Sequence, residues 1–277
     1  MPHSLASQVV LITGASSGFG EDAARLFAKA GCKVILAARR LERLQSLADS
    51  IHNHGGEAIA VPVDVADRNA IKTMTRSALA AYGKIDILFN NAGFGRLDWL
   101  ENLEPDHDIE MQVQVNLLGT IQVTRAVLPH MLARGSGHII NNSSVAGWVA
   151  APLHTIYAAT KFGIRAFSTA LRREVAPFGI KVSVIYPGPA TTEFGQHVGD
   201  TEARRATKRF AGWRMSSEYV ARRVVGLARH PRRSLVIPYW YNLVIGVDTL
   251  FPGLVDLFLK YGYVNRYHHP SSSNFQP

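Results

Sequence analysis

The 277-residue sequence is poor in cysteine, in charge and in long uninterrupted apolar segments. Its single cysteine, Cys32, excludes a disulfide within the chain. Residues 1–8 are short and polar and lack the basic opening and apolar stretch of a secretory signal, so we expect a cytoplasmic protein. The Asn-x-Ser matches at Asn141 and Asn142 are then accidental, because glycosylation requires a secreted context.

The positive charge is unevenly distributed. The net charge is +9, and residues 201–233 contain ten basic and two acidic side chains. The rest of the chain is nearly neutral, which argues against a nucleic-acid partner, since such proteins usually carry their charge on a groove-reading element. The basic segment is either a solvated helix face or a contact for an anionic membrane surface or acidic ligand. No cluster has metal-ligand spacing, so we expect no metal site.

Seven short apolar segments alternate with helical patterns. The candidate strands are 9–12, 33–38, 58–63, 85–89, 138–142, 181–186 and 235–237, and the candidate helices are 21–30, 41–54, 67–82, 105–133, 156–178 and 217–229. Continuous apolar strands that alternate with helices predict a parallel sheet covered on both faces. We therefore predict an α/β fold: one doubly wound, Rossmann-type domain with a seven-stranded parallel sheet over residues 1–237.

Residues 238–277 continue as an apolar C-terminal extension. A membrane-spanning helix needs about 20 uninterrupted apolar residues, and prolines and charges interrupt this segment, so we predict two short amphipathic helices. Asp256 and Lys260 should form an i, i+4 pair on the exposed face. Three alternatives remain open for what the apolar face contacts: a second subunit or its own chain as a lid, a membrane surface, or a partner protein.

A glycine-rich segment follows the first candidate strand. Gly14, Gly18 and Gly20 would permit a tight turn and close approach of the backbone to a pyrophosphate at a helix N-terminus. Gly14, Ser16 and Gly18 also match the nucleophile elbow of a hydrolase, which is the first rival interpretation. That pattern does not explain Gly20 or the downstream residues described next.

Tyr157 and Lys161 stand four residues apart in a candidate helix, and Ser144 precedes Tyr157 by thirteen residues. Positions i and i+4 share a helix face, so the phenol and the ammonium can act on one small volume. A nearby ammonium is expected to lower the phenol pKa from about 10. A phenol and a serine hydroxyl in this arrangement indicate proton transfer at a carbonyl or alcohol oxygen during hydride transfer.

Together these motifs resemble the short-chain dehydrogenase/reductase family from about residue 9 to residue 237. Further matching segments are Asn90-Asn91-Ala92-Gly93, Asn116, Ser143-Ser144 and Pro187-Gly188 with Thr192. The resemblance implies a catalytic set of Asn116, Ser144, Tyr157 and Lys161. In this set Ser144 binds the substrate oxygen and Tyr157 is the acid or base. Lys161 holds the nicotinamide ribose, and Asn116 positions a water in the proton relay.

The second candidate strand ends in Ala37-Ala38-Arg39-Arg40, without the carboxylate that NAD-preferring enzymes usually carry. An arginine can grip a phosphate through two charge-assisted hydrogen bonds. The resemblance therefore assigns Arg39 to the 2′-phosphate of NADP(H), with Ser16 and Arg40 assisting. The full cofactor set it implies is Gly14, Ser16, Ser17, Gly18, Phe19, Gly20, Arg39, Arg40, Asp64, Val65, Asn91, Ala92, Gly93, Tyr157, Lys161, Pro187, Gly188 and Thr192.

The expected function is that of an NADP(H)-dependent carbonyl reductase or alcohol dehydrogenase, assembled as a homodimer or homotetramer. The residues expected to border the substrate are Phe94, Gly95, Trp148, Val149, His154, Pro189 and residues 193–213. Their apolar character favours a lipophilic ketone or secondary alcohol, although aromatic residues here could equally be ordinary core. The alternative from another class is a catalytically idle NADP(H)-binding sensor or scaffold.

Overall fold

The computed structural model describes residues 4–196 and 214–268. A seven-stranded parallel sheet has the order β3-β2-β1-β4-β5-β6-β9. Its strands are β1 (Val9–Thr13), β2 (Lys33–Ala38), β3 (Glu57–Pro62), β4 (Ile87–Asn90), β5 (Gly137–Asn142), β6 (Ile180–Pro187) and β9 (Ser234–Ile237). Two short strands, β7 (Ala190–Thr191) and β8 (Met215–Ser216), pair separately. The predicted seven-stranded parallel architecture is confirmed.

Helices connect the strands. They are α1 (Gly18–Lys29), α2 (Leu41–Asn53), α3 (Arg68–Tyr82), α4 (Thr120–Arg134), α5 (Thr155–Val175), α6 (Ser217–Arg229), α7 (Tyr241–Leu250), α8 (Pro252–Leu259) and α9 (Asn265–Tyr267). Shorter 3₁₀ turns cover Leu100–Asn102, Val145–Gly147, Ala176–Phe178 and Glu193–Gln196. Most predicted helices begin or end within a few residues of the observed bounds.

The predicted continuous helix over residues 105–133 is wrong in its first half. Two wide π-type segments, Pro105–Glu110 and Val113–Gly119, precede α4. Asn116 lies in the second of them, and its side chain hydrogen-bonds the backbone of Phe94. Wider turns of this kind frequently occur at functional sites. The apolar periodicity of the segment does not reveal this local widening, because the same residues stay buried in either kind of helix.

The core lies on both faces of the sheet, and alternate residues of each central strand supply the two layers. In β1, Val10 and Ile12 pack on the side that contains Phe27 of α1, whereas Val9 and Leu11 pack on the side of α3, α4 and α5. Because both layers are buried, the central strands are continuous apolar runs, as expected for a parallel sheet.

The strand order reverses between β1 and β4, since the chain continues from β1 to β2 on one side and returns to β4 on the other. In open α/β sheets, ligands bind at such a switch point, in the crevice beyond the carboxyl ends of the strands. The topology therefore places the ends of β1, β4 and β5 around the candidate site.

The C-terminal extension forms the two predicted short helices, α7 and α8. Their outward face is apolar and exposed, with Leu243 at 74%, Leu250 at 72% and Phe258 at 64% exposure. Within residues 4–196 and 214–268, no single helix is long and apolar enough to cross a membrane. The segments Tyr241–Leu250 and Pro252–Tyr267 meet the length and composition criteria only as a pair bent by 104°.

The predicted ion pair between Asp256 and Lys260 is not formed in this structure. The regular helix ends at Leu259 and the chain continues from Lys260 to Val264 in a wider turn, but the Lys260 N–H still donates to the carbonyl oxygen of Asp256, so the backbone spacing of the pair is kept. The ammonium of Lys260 lies 5.5 Å from the ring centroid of Tyr261 instead.

Candidate active site

The glycine turn joins the ends of β1 and β4. Gly14 and Gly18 have left-handed φ values of +67° and +55°, which favour glycine. A Cβ atom at Gly14 would lie 2.8 Å from the Cα atom of Ala92, and one at Gly20 would collide with the carbonyl oxygen of Gly14. The first and third glycines are therefore required by close backbone packing.

Thr13 is a site residue that the motif analysis missed. Its buried hydroxyl accepts hydrogen bonds from the backbone N–H groups of Asn91 at 3.0 Å and Ala92 at 3.1 Å. The side-chain amide of Asn91 donates in return to the carbonyl oxygens of Thr13 and Gly14, each at 3.2 Å. A hydroxyl residue that ends an otherwise apolar strand is the sequence signal that could have identified Thr13.

Asn90 links the ends of β4 and β5. Its side-chain amide donates to the side chains of Thr124 and Asn141, each at 2.9 Å, and the residue is buried. Asn91 extends this network, because its side-chain oxygen accepts from Asn142 at 3.0 Å. The ends of β4 and β5 are thus fixed relative to each other.

Ser144, Tyr157 and Lys161 converge beside the end of β5. The Ser144 hydroxyl is hydrogen-bonded to the Tyr157 phenol. It also lies 3.3 Å from the carbonyl oxygen of Pro187. Lys161, only 4% exposed, donates to the carbonyl oxygen of Asn142 at 2.9 Å, and its ammonium is 5.5 Å from the Tyr157 ring centroid. The spacing in α5 therefore does place the phenol and the ammonium on one face.

Burial, rather than the charge of Lys161, has the largest effect on the pKa values of Tyr157 and Lys161. It raises the pKa of Tyr157 to about 12, against a smaller lowering by the Ser144 hydrogen bond. Burial also lowers the pKa of Lys161 to about 8. The expected lowering of the phenol pKa by Lys161 is therefore wrong for this structure, because removal from water penalises both charged forms.

Asn116 is fully buried at the back of the same site. Its side-chain oxygen accepts from Phe94 N–H at 2.9 Å, and its amide donates to the Phe94 carbonyl at 2.8 Å. A Cβ atom at Gly93 would lie 3.0 Å from the Asn116 oxygen and 3.7 Å from the Lys161 ammonium. Asn116 and Lys161 therefore face the same glycine, and the four predicted catalytic residues occupy one region.

Ser143 has a supporting role, as its position beside Ser144 suggests. Its hydroxyl donates to the carbonyl oxygen of Lys161 at 2.9 Å. A Cβ atom at Gly147 would lie 2.5 Å from that hydroxyl. Ser143 thus holds α5 against the turn that follows β5.

Arg40, rather than Arg39, contacts the glycine turn. Its guanidinium donates to the Ser16 hydroxyl at 3.1 and 3.0 Å and to the Ser17 hydroxyl at 2.8 Å. A third contact joins Arg40 to the carboxylate of Glu193 at 2.9 Å. Arg39 is exposed and makes no ion pair with any of the described residues. Its assignment to a 2′-phosphate therefore stays a prediction.

The other predicted cofactor residues surround the same crevice. Val65 shares a hollow with Thr13, Asn90 and Ala92, whereas Asp64 accepts a hydrogen bond from the backbone of Ala66. Thr192 lies beside Gly18, 3.3 Å from the position of an added Cβ atom. Phe19 is partly buried against the core, and the Tyr241 ring lies 2.5 Å from the position that a Cβ atom of Gly188 would take.

Aromatic residues form the wall on the catalytic side. The Phe194 ring, in the predicted pocket segment 193–213, packs edge-on against Tyr157, with 5.4 Å between centroids, and covers Gly95. Tyr241 of α7 lies beside Gly188, and the sequence analysis did not identify it as a pocket residue. His154 lies 6.3 Å from Tyr157 between ring centroids, and burial lowers its pKa, which agrees with a pocket-wall side chain.

Trp148 contacts Arg165 and Tyr186. The guanidinium of Arg165 stacks 3.1 Å from its ring centroid, and the indole edge meets Tyr186. Val149 is partly buried and Pro189 is exposed. Of the predicted pocket segment 193–213, residues 197–213 lie outside the described residues, as does most of the basic segment's first half.

The geometry fits a dinucleotide. The three glycines leave the backbone accessible at the N-terminus of α1, where Ser17 makes no side-chain cap to the described helix backbone. Free N–H groups at a helix N-terminus are a general anion site. The residues that would hold the pyrophosphate are those of the turn, and the family resemblance predicts that Lys161 and Asn91 contact the ribose groups.

The comparisons agree with this geometry. The family model described as short chain dehydrogenase matches residues 8–203, and the chain belongs to this family. It is 40% identical over 201 residues to an uncharacterized oxidoreductase of Listeria innocua, covering 72% of this chain and 81% of the relative. Mouse dehydrogenase/reductase SDR family member 7B is 30% identical over 257 residues, covering 90% and 79%. The protein is therefore an oxidoreductase of the short chain dehydrogenase family.

Solved structures support the same fold. A Burkholderia phymatum short chain dehydrogenase/reductase in complex with NAD has a TM-score of 0.84 and 25% identity, with 91% of this chain and 96% of that chain covered. An alcohol dehydrogenase of the archaeon Thermococcus sibiricus, complexed with 5-hydroxy-NADP, has a TM-score of 0.74 and 26% identity, with 83% and 95% covered. Structural neighbours therefore bind nicotinamide dinucleotides of both kinds.

Replacement of Thr13 by Val should lower the free energy of unfolding by about 1–3 kcal/mol and weaken dinucleotide binding, because two partly buried N–H groups lose their acceptor. Urea denaturation and a binding titration measure the two effects. Thr75→Val is the matched control. The Thr75 hydroxyl only donates to the Ile71 carbonyl one helical turn earlier, so its loss should cost less. Equal effects of the two substitutions would contradict the proposed role of Thr13.

Proposed function

We propose that this protein is an NADP(H)-dependent oxidoreductase that interconverts a lipophilic ketone or aldehyde with its alcohol. The proposal rests mainly on the hydrogen bond between the Tyr157 phenol and Ser144. Buried Lys161 lies one helical turn from Tyr157, and the glycine turn is adjacent. Membership of the family supports the oxidoreductase class. The hydrolase interpretation loses its basis, because Gly20 packs against Gly14 and Ser16 holds the Arg40 guanidinium.

When bound, a nicotinamide dinucleotide supplies or accepts the hydride, and the chain manages the proton. Ser144 would donate a hydrogen bond to the substrate oxygen, and Tyr157 would transfer its proton to that oxygen as negative charge develops. With a pKa of about 12 the phenol is protonated at neutral pH, which is the form a proton donor needs, but it is a weaker acid than a free tyrosine. Lys161, with a pKa of about 8, is mainly charged at neutral pH and can hold ribose hydroxyls.

The walls of the catalytic side support a lipophilic substrate. Phe194 and Tyr241 present aromatic rings beside Tyr157 and Gly188, and His154 is held neutral by burial. Pockets for apolar ligands are lined mainly by such side chains with a few placed polar groups. Here the polar groups are the Ser144 and Tyr157 hydroxyls.

Tyr157→Phe should reduce carbonyl turnover by about 10²- to 10⁴-fold, the usual contribution of a general acid, and leave dinucleotide affinity nearly unchanged. Loss of NADPH absorbance at 340 nm with a panel of ketones measures the rate. Tyr82→Phe on α3 is the control and should retain full activity. A wild-type protein that binds NADPH without turning over any ketone, and behaves like its Tyr157→Phe variant, would favour the idle sensor or scaffold.

Arg39→Ala should weaken NADPH binding by about ten-fold or more and change NADH binding little, because a charge-assisted hydrogen bond contributes about 1.5–3 kcal/mol. Isothermal titration calorimetry gives both dissociation constants. Arg76→Ala, which removes an exposed arginine of α3, should affect neither. If Arg39→Ala weakens both coenzymes equally, the assignment of Arg39 to the 2′-phosphate fails.

The outward apolar face of α7 and α8 supports the expected homo-oligomer, since contiguous exposed apolar surface commonly marks an interface. We expect gel filtration of the full chain to give a dimer or tetramer. The double substitution Leu254→Ser and Phe258→Ser should shift it to monomer, because it places hydroxyls in the contact. Monomeric wild-type protein that sediments with anionic liposomes would support the membrane-surface alternative instead.

A further inference from the structure

The carboxylate of Glu193 is held between two guanidinium groups. One of its oxygens accepts from Arg40 at 2.9 Å, and the other accepts from Arg43 at 2.6 Å. These contacts join residues 153 and 150 positions apart, so they tie the segment after β7 to the start of α2. Both arginines hold the pKa of Glu193 at about 2, and the carboxylate therefore stays charged at any working pH.

Arg40 is fixed in place by hydroxyl groups independently of Glu193. Its Nε and Nη2 atoms donate to the Ser16 hydroxyl, and Nη2 also reaches the Ser17 hydroxyl. Only Nη1 is engaged by the acid. If Glu193 moved away, the guanidinium would remain against the glycine turn with a free donor. Arg40 is thus a preformed anion site whose present anion belongs to the chain itself.

A phosphate and this carboxylate present the same chemistry to the arginines. Each offers anionic oxygens that can accept charge-assisted hydrogen bonds from two guanidinium groups. The pairs are accessible to water, with side-chain exposures of 42% for Arg40, 51% for Arg43 and 32% for Glu193. Exposed ion pairs are individually weak, so an incoming phosphate can replace the carboxylate at small cost.

We propose that Glu193 competes with the 2′-phosphate of NADP(H) for Arg40 and Arg43, and so sets the coenzyme selectivity of this protein. The inference rests on the proposed dinucleotide-dependent function and adds a residue outside the catalytic set. Binding of NAD(H) leaves the Glu193 contacts intact. Binding of NADP(H) requires the 2′-phosphate to replace Glu193 on the arginines. The free energy needed to break the Glu193 contacts reduces the net gain from binding the phosphate.

The test uses ligands that differ only in this phosphate. Dissociation constants of adenosine 2′,5′-bisphosphate, 5′-AMP, NADPH and NADH are measured by calorimetry for the wild-type protein and Glu193→Gln. We expect Glu193→Gln to tighten the bisphosphate and NADPH by about three- to ten-fold, the loss of one or two exposed ion pairs. Affinity for 5′-AMP and NADH should stay within about two-fold, because these ligands lack the competing group.

Two further variants test whether the effect comes from the negative charge of residue 193 in particular. Glu193→Asp keeps the negative charge and should resemble the wild-type protein more than Glu193→Gln does. Glu218→Gln removes a carboxylate that pairs with Arg222 at 2.6 Å on exposed α6, and should change no dissociation constant. Higher salt should reduce the gain from Glu193→Gln, because screening weakens the exposed pairs.

Other outcomes overturn the inference in distinguishable ways. If Glu193→Gln weakens NADPH and NADH together, Glu193 acts as a clasp over both coenzymes and is not a competitor. If Glu193→Gln binds NADPH and NADH with the same ratio of dissociation constants as the wild-type protein, Glu193 has no part in selectivity, while the proposed function stands. If the wild-type protein binds neither dinucleotide, the proposed function fails as well.

Discussion

The site depends on the side-chain amide of Asn91, which follows β4 and bonds to the ends of two other strands. Its nitrogen donates to the carbonyl oxygens of Thr13 and Gly14 at the end of β1, and its oxygen accepts from Asn142, the last residue of β5. Parallel strands have no hairpins to align their ends, so side-chain bonds across the switch point must do so. Through this amide, the glycine turn that suits a pyrophosphate is held in register with the strand that presents Ser144.

Burial of the catalytic side chains follows from the same packing. Asn142 links the Asn91 network to Lys161, whose ammonium donates to the Asn142 carbonyl oxygen. The ammonium loses water but keeps one strong acceptor, and its pKa falls to about 8. The phenol of Tyr157 is desolvated beside it, and its pKa rises to about 12. The pair thus places a neutral phenol next to a lysine whose pKa is close to neutral pH.

Much of the fold could be predicted because its signals are local. Strands buried on both faces are continuous apolar runs, and β1 is an example, with Val9 to Ile12 all inaccessible or nearly so. Glycine and helix spacings likewise indicated the turn and the Tyr157/Lys161 pair. Prediction failed where one residue's geometry depends on a distant contact. Asn116 lies in a wider helical segment and bonds to Phe94, and Arg40 rather than its neighbour reaches Ser16.

The sequence by itself determined the parallel α/β sheet, the glycine turn and the shared face of Tyr157 and Lys161, because periodicity and short spacings govern these through local backbone geometry. Only the tertiary structure decided which arginine meets the turn, that Thr13 anchors Asn91 from 78 residues away, and that Glu193 reaches Arg40 across 153 residues. It also decided the sign of the phenol pKa shift. Desolvation depends on everything packed around a group, and no spacing along the chain records that.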